Sequence, residues 1–171
     1  MVLFALLGCA KLTTLEIEER STTTVEQGTL LEELLGDFGF ESFVTMDLTA
    51  SQEMQNQGAG PGDVEDVELV YFELEAMDPE GADLSFIDSL DVLVEAPDLD
   101  PVLLATADDF PEGQAVVPFT LSDVDLTPYV VSQSMTLTTD VSAHRPEVDT
   151  TVEARFQVNV RVTAQGVRNN L

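Results

Sequence analysis

The chain has 171 residues and a mass of 18.6 kDa, enough for one domain with a sizeable core that needs neither disulfides nor metals. Its hydrophobic fraction of 44% and mean hydropathy of +0.09 exclude the low-hydrophobicity composition of disordered chains. A formal net charge of -27 repels phosphate backbones and anionic head groups alike, which argues against nucleic acid as a partner.

The first element is the apolar run Val2 to Leu7, followed by Gly8, the single cysteine Cys9, Ala10 and the first charge, Lys11. Leu6-Leu7-Gly8-Cys9 resembles the lipobox of bacterial lipoproteins. The resemblance implies that Cys9 is thioether-linked to a diacylglyceryl group and becomes the first residue of the mature chain. A thiolate is the nucleophile that accepts such a lipid, and small residues before it let the backbone lie extended in a peptidase cleft. Three acyl chains in total would give a stable anchor, each buried methylene contributing about 0.8 kcal/mol. The family's signals open with basic residues and run longer, whereas only eight residues precede Cys9. They are expected to be the end of a longer signal peptide read from an upstream start. Ala10 in place of an Asp resembles lipoproteins sorted to an outer membrane. Six apolar residues cannot span a bilayer, which takes about 20.

Residues 9–27 are expected to be the lipidated N-terminus and a Thr- and Glu-rich tether, with Leu15 and Ile17 alternating into a short edge strand. Thr29-Leu30-Leu31-Glu32 reads as a capping box. It opens a two-turn helix that presents Leu30, Leu31, Leu34 and Leu35 on one face and ends at Gly36. So short a helix must dock, and it is expected to plug one end of a sandwich, with Phe38, Phe40 and Phe43 continuing the core.

From there the period is two. Residues 42–51 alternate as a strand, Gln57 to Gly62 reads as a loop, and Val67 to Ala76 as a long strand closed by the turn Asp78-Pro79-Glu80-Gly81. Leu90 to Val94, ended by Pro97, and Val102 to Ala105 are further strands, and a turn at Pro111-Glu112-Gly113 leads into Ala115 to Leu121. Asp125 to Val130 is similar to the corner that introduces a late strand in carbohydrate-binding jelly rolls, with Tyr129 as a core or corner aromatic. Met135 to Val141 and Val152 to Val162 alternate most strictly, which fits sheets with one buried and one wet face. The expected fold is all-β: an antiparallel sandwich of immunoglobulin-like or jelly-roll type with one short helix, over residues 28–171.

Charge is unevenly placed. No Lys or Arg occurs between Ser21 and His144, a stretch that holds 27 of the 33 acidic residues. The expectation is a solvated, self-repelling surface suited to a saline medium. Catalytic patterns are weak, so no enzyme activity and no cofactor is expected. His144 is the one histidine, flanked by Arg145 and Pro146 in a loop with Asp140 and Asp149 near in sequence, but no nucleophile-elbow pattern accompanies it. Asp98 with Asp100, and Asp123 with Asp125, put oxygen ligands at alternate loop positions, making them weak candidates for calcium. Neither pair continues as a helix-loop-helix site would. The sequence therefore reads as a cell-envelope lipoprotein of structural or interaction type, held to the membrane through Cys9. The alternative is a glycan- or calcium-dependent adhesion module, and a protein, glycan or divalent cation is the partner left open.

Overall fold

A computed structural model describes residues 13–28, 60–132 and 135–163, apart from the side chain of Pro61. The Leu6–Cys9 stretch, the helix expected from Thr29 to Gly36, Phe38, Phe40 and Phe43, and the strand expected over 42–51 lie outside the described residues.

Among the described residues, eight strands form the two sheets of an antiparallel β-sandwich. They are β1 (Thr13–Val25), β2 (Val64–Asp78), β3 (Ile87–Ala96), β4 (Leu99–Ala107), β5 (Val116–Pro118), β6 (Thr120–Leu121), β7 (Thr136–Ala143) and β8 (Thr150–Val162). One sheet has the order β1-β8-β2-β5, and the other β6-β4-β3-β7. Among the described residues the one α-helix is the one-turn α1 (Thr127–Val130).

Strict alternation makes β8 the spine of the first sheet. Thr150, Val152, Ala154, Phe156, Val158, Val160 and Val162 are all buried, while the residues between them are only partly covered or exposed. β8 pairs with β1 along all thirteen positions, from Thr13↔Val162 to Val25↔Thr150, and with β2 on its other side.

β1 departs from the expected tether with a short edge strand. It is a full-length strand, with Leu15, Ile17 and Val25 buried, so the sandwich begins by Thr13 and not at residue 28. Thr and Ile favour extended backbone, and the apolar residues at alternate positions fall on the face that β8 already turns toward the core.

β5 and β6, expected as one strand, are two. After Pro118, which has no N–H for the ladder, the chain leaves the first sheet and joins the second at Thr120. Phe119 is buried at the crossing and its N–H donates to the Phe72 carbonyl at 2.9 Å. The crossing ties the sheets together along one side. It also supplies an aromatic cluster: Phe72 meets Phe119 edge-on at 4.9 Å and stacks on Phe156 at 6.2 Å, and Phe110 meets Phe119 at 6.2 Å.

From β2 to β5 and from β6 to β8 each strand reverses the direction of the one before it, so their connections gather at two opposite ends. At one end lie the Pro97–Asp98 hairpin turn, with Asp98 at φ 64°, the starts of β1 and β2, and α1. α1 is pinned there: the Val67 N–H donates to the Thr127 hydroxyl at 3.0 Å, the Leu126 N–H to the Val67 carbonyl at 3.2 Å, and the Tyr129 hydroxyl to the Asp100 carbonyl at 2.8 Å. The helix is thus at the position of the suspected corner, and Tyr129 is the buried corner aromatic. At the opposite end lie the β2–β3, β4–β5 and β7–β8 loops together with the end of β1.

Candidate functional site

The three loops of the second end enclose a cleft of about 810 Å³. Turn chemistry sets each wall. The β2–β3 loop turns at Pro79–Gly81, where Gly81 takes φ 83° and the Ala82 N–H closes on the Pro79 carbonyl at 2.9 Å. The β4–β5 loop turns at Glu112–Gly113, with Gly113 at φ 75°. Both positive φ values favour glycine over any residue with a Cβ.

Cross-bonds then hold the walls in place. Asp83 accepts the Gly113 N–H at 2.6 Å and the Ser85 N–H at 3.0 Å, joining the β2–β3 loop to the β4–β5 loop. The His144 N–H donates to the Phe86 carbonyl at 2.8 Å, joining the β7–β8 loop to the first. The Gly28 N–H reaches the Pro146 carbonyl at 3.2 Å and the Gln27 N–H reaches Asp149 Oδ1 at 2.7 Å, so the end of β1 braces the β7–β8 loop from behind. A cleft with its walls bonded to each other before any ligand arrives is a preorganised one.

The hydrogen bonds from Gly113 and Ser85 hold the Asp83 carboxyl below the usual carboxylate range. A depressed folded-state pKa contributes stability above the unfolded value, and that contribution is lost as pH falls through the folded pKa. Asp83→Asn is therefore expected to lower the melting temperature at pH 7 and to narrow its gap to the unsubstituted protein as pH is taken below about 4. Thermal melts from pH 7 to pH 2.5 measure this; a gap that stays constant with pH would separate Asp83 from the acid sensitivity of the fold.

The cleft's charges are mixed. His144 and Arg145 line it together with Glu112 and Glu147. His144 is exposed and its Nδ1 lies 3.7 Å from Asp88 Oδ1, while Asp149, adjacent in sequence, is engaged with the backbone of Gln27. Sequence reading singled out the His144–Arg145–Pro146 loop but did not join it to the other two. The signal was available in the turns at 78–81 and 111–113, since alternate connections of an antiparallel meander fall at the same end.

The four suspected calcium ligands lie at the opposite, α1 end. Asp98 occupies the hairpin turn, and the Asp100 carbonyl receives the Tyr129 hydroxyl. Asp125 accepts the Thr127 N–H at 2.9 Å, and hydrogen bonding from the Thr127 side chain and N–H keeps its carboxyl below the ordinary value. Among the described residues no group of three or more His, Cys, Asp or Glu is placed to hold a metal ion.

Arginines on the wet face of the first sheet are all matched. Arg155 meets Glu73 at 2.9 Å and Glu75 at 2.5 Å, with Glu153 at 3.6 Å from its Nε, beyond hydrogen-bond range. Arg161 pairs with Asp66 at 2.8 Å and Arg20 with Glu18 at 2.5 Å. A small apolar cavity of about 30 Å³, different in kind, lies between the sheets and is bordered by Phe72, Leu104, Leu126, Leu137 and Phe156. Among the described residues no helix is long and apolar enough to cross a membrane. No protein-family model matches the chain, and no curated protein does.

Proposed function

We propose that the protein is a cell-envelope lipoprotein whose sandwich is an interaction module, anchored through Cys9 and presenting the three-loop cleft away from the membrane. The observation that carries this reading is the spacing of the lipobox-like Leu6-Leu7-Gly8-Cys9 from β1, which begins four residues later at Thr13. Four residues reach at most about 14 Å. A lipid at Cys9 would therefore hold the α1 end of the sandwich close to the bilayer. β1 then runs thirteen residues to the cleft, about 40 Å at the usual rise per residue. Binding residues carried on loops at the far end of a rigid scaffold fit an interaction role. Ala10 favours an outer membrane as the place of the anchor, and the acidic surface keeps the exposed body soluble and self-repelling in a saline medium.

Cys9→Ser is the test. The substituted protein is expected to move from the membrane pellet to the soluble fraction, because nothing else in the proposed arrangement inserts into lipid. Identical fractionation of the two proteins would remove the anchor from the account.

A second reading, a glycan-dependent adhesion module, is favoured by one observation, the preformed cleft itself. Its calcium-dependent form at Asp98, Asp100, Asp123 and Asp125 has no comparable support: Asp98 sits in a hairpin turn, Asp125 accepts the Thr127 N–H, and among the described residues no group is placed to hold a metal ion.

A further inference from the structure

The cleft contains an anomaly of charge. In a chain with six basic and 33 acidic residues, a guanidinium is surrounded by potential partners, and Arg20, Arg155 and Arg161 are each in an ion pair. Arg145 is in none among the described residues, although it lines a cleft with Glu112 and Glu147. The third carboxylate of the walls, Asp83, is committed to the N–H groups of Gly113 and Ser85. Among the described residues the cleft therefore offers a guanidinium with no claimed donor together with Glu112 and Glu147, whose carboxylates accept no hydrogen bond there.

The field of the whole molecule narrows what can answer them. A net charge of -27 opposes every anion that approaches, and a dianion such as phosphate more than a monoanion. A plain cation is drawn to the acidic surface everywhere and gains nothing from Arg145. A zwitterion does no net work against the field, and can place its carboxylate on Arg145 and its ammonium on Glu112 or Glu147. Val148, half exposed on the cleft wall, and Ala82 add apolar surface for a small side chain.

We infer that the three-loop cleft binds a zwitterionic ligand of the amino-acid or short-peptide class, with Arg145 holding its carboxylate and Glu112 and Glu147 its ammonium group. This deepens the reading of the cleft as the binding face and is independent of the anchor at Cys9, so the failure of either leaves the other to be judged separately.

The test uses the full chain and four probes followed by calorimetric titration: L-alanyl-L-alanine, its N-acetyl form, its C-terminal amide, and glucose. The unblocked dipeptide is expected to bind, and to change little in affinity between 0.05 and 0.5 M NaCl, because a ligand of zero net charge escapes the long-range field that salt screens. The N-acetyl form is expected to bind more weakly, and to tighten as salt rises and repulsion is screened. The amide is expected to bind only at low salt. Arg145→Gln should weaken the dipeptide at least about tenfold while leaving the amide and the melting temperature unchanged, since Arg145 is exposed; Arg145→Lys should restore part of the loss. No binding of the dipeptide, equal binding by glucose, or an Arg145→Gln protein that binds the dipeptide unchanged would each overturn the assignment, the glucose result in favour of a glycan site.

Discussion

Phe156→Ala is expected to destabilise the fold by about 3–5 kcal/mol, the largest loss from any single substitution discussed. Phe156 is buried at the centre of β8, between the β1 and β2 ladders, and its ring stacks on Phe72 at 6.2 Å with an interplanar angle of 11°. Truncation removes the apolar area of the ring and the aromatic contact together. The gap cannot close easily, because an apolar cavity of about 30 Å³ already borders this ring, and two sheets each held by their own ladders cannot collapse around a larger one. Equilibrium denaturant unfolding measures it, with an unchanged slope identifying the effect as a loss of native packing. A loss under about 1 kcal/mol would mean that the inward face of β8 is not the core.

Ile17→Ala is expected to cost about 2–5 kcal/mol, and it decides whether β1 is structural. Ile17 is 2% exposed and pairs with Val158, itself 2% exposed, so its side chain is among the deepest of the first sheet. In a tether the same substitution would change stability by no more than about 0.5 kcal/mol. Glu16→Ala supplies the comparison on the same strand, since Glu16 points outward and is expected to fall within that small range. Equal, small effects at both positions in denaturant melts would return residues 13–25 to the role of a linker.

Where apolar residues kept strict period, the fold was legible. β8 was expected from Val152 to Val162 and runs from Thr150, and β2, β3 and β4 lie where they were expected, each longer by two or more residues at one or both ends. Those ends mix polar residues with core ones, Asp88 and Ser89 beside the buried Ile87 and Thr106 beside the buried Ala107, so the alternation that marks the middle of each strand is broken there. β1 was underestimated for the same reason. Glu19, Ser21 and Thr23 occupy inward positions between Ile17 and Val25, and this polar middle hides a strand whose extent is fixed by pairing with β8. The division of Ala115–Leu121 between two sheets could not be read locally, since it depends on where Phe72 offers a carbonyl to Phe119. α1 was missed as a helix because one turn anchored by Val67 and Asp100 needs no periodicity of its own.

The candidate site was half legible. His144 stood out as the one histidine, flanked by Arg145 and Pro146 in a loop, but a cleft is a property of three loops, and their convergence follows from strand order and not from composition. Asp98, Asp100, Asp123 and Asp125 were spaced as calcium ligands are. In the fold Asp98 and Asp125 do the ordinary work of loop aspartates, one in a left-handed turn position and one accepting the backbone N–H two residues on. Spacing alone does not separate the two uses.

The anchor at Cys9 orients everything else in the functional account, and the mass of the N-terminal fragment of the protein recovered from membranes tests it most directly. The account predicts a fragment that begins at Cys9 and carries a diacylglyceryl thioether with a third acyl chain on its amino group. A fragment that retains residues 1–8 with an unmodified Cys9 thiol would contradict it.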